Sequence, residues 1–309
     1  MIYTITFNPS LDISGEVDEL KPNEKSYVHL ETHTAGGNGI NAGIIAHRLG
    51  RKVLLMGFLG GPHGKEVERI LIGKKIPQHF VKISGHTRTN ITIANKSNHQ
   101  QTRLSFPGPE MKNSEMRQLF EMLKKVKKND LVLIGGSLPP GVDFAYVKKI
   151  IAKIHKRDAR CVVDMPGKVM KNLVSSKPYF IKPNLLEFQE LVGKKVDTIK
   201  ALLPLARKLN RHIPWICVSS IEGGALLVTK DRVWFGKIPN VKIRSTVGAG
   251  DSMVGAMSSL WDQESDIDGE SLLRIGLAGS CATLTERGLT LGSKKSILKY
   301  KRQIKIKEL

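Results

Sequence analysis

The chain alternates short apolar runs with longer stretches in which apolar residues recur three and four positions apart. The short runs predict buried strands, and they cover residues 2–7, 53–58, 131–134, 161–163, 180–181 and 215–218. The longer stretches predict helices over residues 41–49, 115–126, 144–154, 185–192 and 198–209. Because strands alternate with helices, the pattern predicts an α/β fold with a doubly wound, mostly parallel sheet flanked by helices.

Four further segments alternate apolar with polar residues, and no helical pattern follows them. They lie at residues 13–17, 27–34, 89–94 and 102–106. These segments predict a small antiparallel sheet, which we expect to form a lid over the carboxyl-terminal edge of the larger sheet. The chain is then a single domain over residues 1–309, with the lid inserted at about residues 13–34 and 88–106.

Length and composition support a globular protein. The chain has 309 residues, of which 40% are hydrophobic, and this is enough for a sizeable core. The three cysteines, Cys161, Cys217 and Cys281, stand among apolar or small residues, which predicts buried free thiols. No secretory leader is visible, and no apolar run reaches the roughly 18 residues of a membrane span. We therefore expect a cytoplasmic protein that does not enter a membrane.

The net charge of +21 is the unusual bulk property. We interpret it as a solvated basic surface, with attraction of nucleic acid or steering of anionic substrates as alternatives. No basic stripe with interleaved aromatic residues and no known nucleic-acid motif occurs in the sequence. Nucleic acid is therefore not the expected partner.

Three glycine-rich segments carry the candidate chemistry. The first, residues 34–43, fits the loose dinucleotide-binding fingerprint, but the first predicted strand ends about thirty residues earlier, and Gly57 stands where an acidic residue belongs. A dehydrogenase is therefore disfavoured. The second, residues 134–142, follows a predicted strand and makes Ser137 a candidate ligand contact, although its two prolines also suit a rigid turn.

The third segment follows a predicted strand at residues 241–243 and opens one of two final helices, residues 251–261 and 271–285. Gly248, Ala249 and Gly250 would present three backbone N–H groups to an anion, and Asp251 follows them directly. A Walker loop is absent, because Glu66 stands where the sequence GGPHGKE would need Ser or Thr. Any phosphate chemistry must therefore use another arrangement.

Seven motifs in order resemble one known family. They are NPSLD at 8–12, AGGNGIN at 35–41, TRTN at 87–90, FPGP at 106–109, GSLPPG at 136–141, KPNLLE at 182–187 and STVGAGD at 245–251. Together they resemble the ribokinase-like sugar kinases, in particular the phosphofructokinase B group, over almost the whole chain. The resemblance implies a ribokinase-like fold with a small β-sheet lid.

The resemblance also implies how the phosphoryl group is handled. Asp251 would be the catalytic base, and the N–H groups of Gly248, Ala249 and Gly250 would hold the transferred phosphoryl group. The helix N-terminus is expected to keep Asp251 ionised at pH 7. ATP would be bound by residues matching the family pattern, namely Lys182, Asn184, Ser219, Gly224, Thr246 and Ser280. Glu187 would act on Mg²⁺ through water, and Ser245 and Val247 would lie at a K⁺ site.

On the sugar side, the resemblance implies that Asp12 accepts hydrogen bonds from hydroxyl groups and that Arg88 binds the sugar's phosphate. The other substrate-binding residues would be Lys25, Gly36, Gly37, Asn41 and Ser137. Two positions depart from the family pattern: Tyr27 replaces a common arginine, and Ile221 replaces a glycine. Ile221 tolerates a positive φ badly, so either the turn changes or Gly223 takes over.

The implied activity is that of an ATP-dependent phosphofructokinase that converts fructose 6-phosphate to fructose 1,6-bisphosphate. The alternatives are 1-phosphofructokinase and tagatose-6-phosphate kinase, because single motifs lean towards each. A more distant alternative is a non-catalytic binding protein, which predicts a decayed catalytic centre. A homodimer formed through the lid is expected by analogy, with Lys25 reaching a neighbouring subunit's site.

Overall fold

The computed structural model describes residues 1–261 and 267–309, and within these residues the chain forms two sheets. The strands are β1 (Ile2–Thr6), β2 (Ser10–Val17), β3 (His29–Gly36), β4 (Val53–Leu59), β5 (Gln78–Lys82), β6 (Arg88–Asn95), β7 (Gln100–Ser105), β8 (Leu131–Gly135), β9 (Arg160–Asp164), β10 (Phe180–Ile181), β11 (Trp215–Ile221), β12 (Gly224–Val228), β13 (Val233–Lys237) and β14 (Lys305–Glu308).

The larger sheet has ten strands among the described residues, in the order β5-β4-β1-β8-β9-β10-β11-β12-β13-β14. Strands β5 to β11 of that order are parallel, and the last three join antiparallel at one edge. Because β1 and β8 to β10 all end at the same edge, the loops that follow them meet there. The predicted mostly parallel, doubly wound sheet is confirmed.

Helices cover both faces of this sheet. They are α1 (Asn38–Arg48), α2 (Gly61–Gly73), α3 (Asn113–Met122), α4 (Phe144–His155), α5 (Gly167–Leu173), α6 (Leu185–Val192), α7 (Ile199–Leu209), α8 (Ala249–Trp261), α9 (Gly269–Leu284) and α10 (Lys294–Lys301). Helices α3 to α7 enclose one half of the core, and α1, α2 and α8 to α10 enclose the other. On β1, Tyr3 and Ile5 enter the first half and Ile2 the second, as strand alternation requires.

The small sheet has the order β3-β2-β6-β7. The predicted antiparallel arrangement is wrong for its central pair, because β2 and β6 run parallel, with Asp12 opposite Asn90. The long excursion between these two strands passes through α1, β4, α2 and β5, which allows a parallel return that a short hairpin would not. The outer pairs, β2–β3 and β6–β7, are antiparallel as predicted.

The predicted strand at residues 241–243 is also wrong. Lys242 and Ile243 are exposed, and the next residue, Arg244, donates its backbone N–H to Leu284 O at 2.8 Å. The segment therefore lies against the end of α9 and pairs with no strand in the described part of the chain. The three cysteines are free and buried, as predicted. Across residues 1–261 and 267–309, no helix has the length and apolarity needed to cross a membrane.

Candidate active site

The loop before α8 presents backbone N–H groups at the carboxyl-terminal edge of the larger sheet. Gly248 has φ +75°, and a Cβ there would lie 2.7 Å from Leu291 Cδ2, so both conformation and space require glycine. Within the described residues, the N–H groups of Gly248 and Gly250 have no acceptor. The Ala249 N–H makes a long contact of 3.4 Å with Thr246 O. Two of the three expected donors are thus fully available to an anion.

Asp251 lies in the first turn of α8, and Asn41 Nδ2 donates a hydrogen bond of 2.8 Å to its Oδ2. Burial and the nearby Asp164 raise the pKa of Asp251 to about 6, although Asn41 and Lys182 lower it. The expected lowering at a helix N-terminus is therefore outweighed by desolvation. At pH 7 about nine-tenths of a carboxyl with this pKa is still ionised, so it is able to act as a base.

A buried ion pair lies beside this loop. Lys182 Nζ is 3.2 Å from Asp164 Oδ1, and their side chains are 5% and 7% exposed. A Cβ on Gly250 would lie 3.3 Å from Lys182 Nζ, so the ammonium group adjoins the N-terminus of α8. Burial opposes the charge on Lys182, but Asp164 and Glu187 attract it and its pKa is raised. The lysine is therefore cationic where a phosphoryl group would approach the loop.

Asn184 and Glu187 form a capping box at the start of α6. Asn184 Oδ1 accepts the Glu187 N–H at 2.9 Å, and Glu187 Oε2 accepts the Asn184 N–H at 2.8 Å. Sequence reasoning missed this structural role. Glu187 Oε1 stays available, and burial raises the pKa of the carboxyl. Since no cluster of three metal-ligating side chains occurs in the described part of the chain, this single oxygen suits Mg²⁺ that keeps much of its water shell.

The other candidate nucleotide residues lie on two neighbouring segments. Ser219 donates its N–H to Pro183 O at 3.0 Å, so the end of β11 adjoins the loop that carries Lys182. Positive φ values fall on Ser220, Glu222 and Gly223 but not on Ile221, which is fully buried. The turn therefore changes around Ile221, and Gly223 adopts one of the positive φ values. A Cβ on Gly224 would lie 2.2 Å from Gly236 O, which gives this glycine a packing role in the β12–β13 pair.

The segment over residues 244–247 lies against the end of α9. Ser245 is buried, and its Oγ accepts the Val247 N–H at 3.3 Å. Thr246 is exposed. Ser280 lies one turn before Leu284, whose carbonyl accepts the Arg244 N–H. The structure thus brings together the two segments that carry Thr246 and Ser280, expected to bind ATP, and Ser245 and Val247, expected to lie at a K⁺ site.

Asp12 lies on β2 of the small sheet, and its two oxygens have different surroundings. Oδ1 accepts hydrogen bonds from Ser10 Oγ at 2.6 Å and from Asn90 Nδ2 at 2.9 Å. Oδ2 faces Gly36, where a Cβ would lie only 2.2 Å away. Gly37, with φ +119°, then turns the chain into α1, which carries Asn41. Burial raises the pKa of Asp12.

Arg88 and Ser137 are held together through Asn8. Arg88 Nε donates to Asn8 O at 3.3 Å and Arg88 Nη1 donates to Phe106 O at 2.8 Å. Asn8 Nδ2 in turn donates to Ser137 Oγ at 3.3 Å. Burial lowers the pKa of Arg88, which nevertheless remains a cation at any physiological pH. Its remaining Nη2 is available to a phosphate.

Lys25 is the candidate that the structure does not bring to the others. It lies in the loop between β2 and β3, and its Nζ lies 4.8 Å from the centre of the Tyr27 ring. Among the described residues it makes no contact with another candidate residue. A role at a neighbouring subunit's site stays a prediction.

Three site residues escaped the sequence reasoning: Asp164, Asn8 and Asn90. Asp164 follows the predicted strand at residues 161–163, at the edge where ligands bind in such sheets, so its position was a usable signal. Asn8 and Asn90 belong to motifs that were recognised, but their partners lie far along the chain. Their contacts therefore needed the structure.

Comparison with known proteins identifies the family to which the chain is similar. Residues 6–296 match the model of the pfkB family of carbohydrate kinases. A tagatose-6-phosphate kinase of Staphylococcus epidermidis is 35% identical over 281 residues, covering 89% of each chain. A 1-phosphofructokinase of Bacillus subtilis is 27% identical and is covered over its full length, as is the present chain.

Among solved structures, phosphofructokinase-2 of Escherichia coli in complex with substrates and products has a TM-score of 0.93 at 29% identity, with 98% of both chains covered. The same protein has also been solved in complex with fructose-6-phosphate, in complex with potassium and as a tetrameric inhibited form. The ribokinase-like fold is thereby confirmed.

Proposed function

Because the chain belongs to the pfkB family of carbohydrate kinases, and is thus a sugar-phosphate phosphotransferase, we propose that it transfers the γ-phosphoryl group of ATP to fructose 6-phosphate. The observation that carries the proposal is the 2.8 Å hydrogen bond between Asn41 and Asp251. It joins the small-sheet side, where Asp12 and Arg88 lie, to the anion-binding loop of α8. A sugar hydroxyl and a phosphoryl group could therefore meet at Asp251.

In this reaction Asp251 takes the proton of the attacking hydroxyl group. The N–H groups of Gly248 and Gly250, together with the ammonium of Lys182, stabilise the negative charge on the phosphoryl group being transferred. Phosphoryl transfer demands little covalent chemistry from the protein, so positioning and charge account for most of the catalysis. Asp12 binds sugar hydroxyls and Arg88 binds the sugar's phosphate through its free Nη2.

ATP binds beside Lys182, Asn184, Ser219, Gly224, Thr246 and Ser280 in this proposal. Glu187 would hold Mg²⁺ through water with its Oε1, and the ion would supply positive charge that stabilises the phosphates. Ser245 and Val247 would hold a potassium ion, and the Escherichia coli phosphofructokinase-2 structure in complex with potassium supports this part of the proposal.

The similar proteins differ in the sugar phosphate that their names give, so they do not by themselves favour one substrate. The structure with a TM-score of 0.93 is a phosphofructokinase-2, whereas the relative at 35% identity is a tagatose-6-phosphate kinase. The products of the three reactions are all ketohexose bisphosphates, so the sites differ in which hydroxyl faces Asp251. The sequence of the α8 loop favours fructose 6-phosphate.

A substrate panel tests this choice. We expect kcat/KM to be highest for fructose 6-phosphate when it is compared with fructose 1-phosphate and tagatose 6-phosphate at saturating Mg-ATP. A higher value for either alternative reassigns the substrate within the family. No ADP release with any of the three would favour the non-catalytic alternative, although Asp251, Lys182 and the glycine loop show no decay.

We also propose that the chain is a single cytoplasmic kinase domain in which the small sheet is a lid. Two copies of the chain would form a homodimer through this lid. Of thirteen exposed large apolar side chains in the described residues, six lie on this sheet or its loops: Leu20, Tyr27, Val28, Leu30, Leu104 and Phe106. Tyr27 and Leu30 are 67% and 68% exposed. Such a concentration of exposed apolar side chains is typical of an interface.

Leu30→Glu is expected to convert the dimer to a monomer of about 34 kDa by light scattering, because it puts a charge into the proposed interface. Leu298→Glu is the matched control, since Leu298 is 42% exposed on α10, away from the lid, and the dimer should persist there. A wild-type protein that is monomeric at assay concentrations, or a Leu30→Glu dimer, would contradict the proposed interface.

A further inference from the structure

One carboxylate oxygen of Asp12 is held by two donors at once. Ser10 Oγ and Asn90 Nδ2 lie 2.6 Å and 2.9 Å from Asp12 Oδ1, and Asn90 Nδ2 also donates to Ser10 Oγ at 2.9 Å. Ser10 is fully buried. The three side chains therefore form a closed polar cluster on one face of the small sheet.

The strand register explains why this cluster forms. Ser10 and Asp12 are two residues apart on β2, so both point to the same face. On the parallel neighbour β6, Asn90 is directly opposite Asp12, and on β3, Gly36 is opposite Ser10. Asn90 thus donates to Oδ1 of the carboxylate, while the missing side chain of Gly36 makes room for the carboxylate itself, with Oδ2 nearest to that glycine.

The orientation of the Asn90 amide adds a second argument. Its Oδ1 is buried and accepts no hydrogen bond within the described residues. An unsatisfied buried acceptor is rare and destabilising, and here it accompanies an amide nitrogen that serves both Ser10 and Asp12. The amide is therefore arranged for the carboxylate of Asp12 at a cost to its own hydrogen bonding.

We propose that Ser10 and Asn90 are positioning residues that hold Oδ1 of Asp12 and so leave Oδ2 alone to accept the hydroxyl groups of the sugar. A carboxylate held in this way accepts hydrogen bonds from one direction, and it therefore favours sugars whose hydroxyl configuration matches that direction. The inference rests on the proposed function, because it presupposes a sugar phosphate beside Asp12.

The electrostatic surroundings of Asp12 fit this role. Burial disfavours its charged form, whereas the hydrogen bonds of Ser10 and Asn90 favour that form. Arg88 and Arg103, on β6 and β7, also attract the carboxylate, and its charge raises the pKa of Asp251 across the site. Removing either donor should therefore raise the pKa of Asp12 further.

The first test is kinetic and uses Asn90→Leu, which removes both donated hydrogen bonds at similar volume, with Ser10→Ala as a second variant. We expect KM for the preferred sugar phosphate to rise about ten- to hundredfold, the range expected for losing a hydrogen bond to a charged group. KM for ATP should stay within about twofold, and the preference between fructose 6-phosphate and its C4 epimer tagatose 6-phosphate should narrow. Thr92→Val, on the same face of β6 two residues further on, is the matched control and should behave as wild type.

The second test needs no turnover, and this separates the inference from the proposed function. The Asp12 carboxyl is titrated in the ligand-free protein by ¹³C NMR and assigned with Asp12→Asn. A higher Asp12 pKa in Asn90→Leu and Ser10→Ala, but not in Thr92→Val, supports the inference even if the wild type phosphorylates no sugar on the panel. An unchanged Asp12 pKa in both variants overturns it, as does an equal rise of KM for sugar and for ATP.

Discussion

Replacing Asp251 by alanine is expected to lower kcat by about 10²- to 10⁴-fold, the range found for loss of a positioned general base. The carboxylate is the group in the loop that can take a proton, while the neighbouring N–H groups and Lys182 remain to bind phosphate. ATP affinity, measured by calorimetry, should therefore stay close to that of the wild type. ADP release with each sugar phosphate gives the rate.

Asp231→Ala is a matched control, because it removes an exposed carboxylate from the loop between β12 and β13 and should not affect the rate.

The activity of the wild type should also decrease at acidic pH. Asp251 has a pKa of about 6 in the ligand-free protein, and only its ionised form is a base, so kcat/KM should fall about tenfold per pH unit as the pH drops below that value. Wild-type-like turnover in Asp251→Ala would refute the assignment.

The centre of the fold was predictable from sequence because its strands are buried on both faces. The runs at β8 and β10 are continuous apolar segments, and β1 is interrupted only by Thr4 and Thr6, which are also buried; such runs have few alternatives once helical stretches separate them. The predicted helix at residues 185–192 coincides with α6, because Asn184 caps its start and Gly193 ends it in the left-handed conformation.

The periphery was harder to predict for the opposite reason. Helix α2 buries only Gly64, Val67 and Leu71, so its apolar stripe is too narrow to stand out. Strand β14 is a largely exposed edge strand with charged residues at three of its four positions. Neither element carries the periodicity on which sequence reasoning depends.

The candidate site shows a similar division. The candidate residues could be named from sequence, because Asp251 directly follows a glycine-rich loop and because Asp12 and Arg88 stand in motifs that resemble those of a known family. The partners were not predictable, since Asn41 and Asp251 are 210 residues apart in the chain. Likewise, nothing local shows that Asp164 neutralises Lys182, or that Asp164 contributes to the raised pKa of Asp251.

Lys182→Met is expected to lower both stability and activity, because it leaves Asp164 buried without its counter-charge. Breaking a buried ion pair in this way costs about 3–5 kcal/mol in the free energy of unfolding. Urea denaturation measures this loss. The exposed pair of Lys96 and Asp18 has the same 3.2 Å separation, so Lys96→Met is a matched control that should cost no more than about 1 kcal/mol.

The double variant Lys182→Met/Asp164→Leu separates the two roles of the lysine. Replacing both charges by apolar side chains removes the unpaired carboxylate, so stability should return close to that of the wild type. Activity should not return, because the cation beside Gly250 that stabilises the phosphoryl group is still missing. Wild-type stability in Lys182→Met would contradict the structural role of the ion pair, and recovered turnover in the double variant would contradict the catalytic role of Lys182.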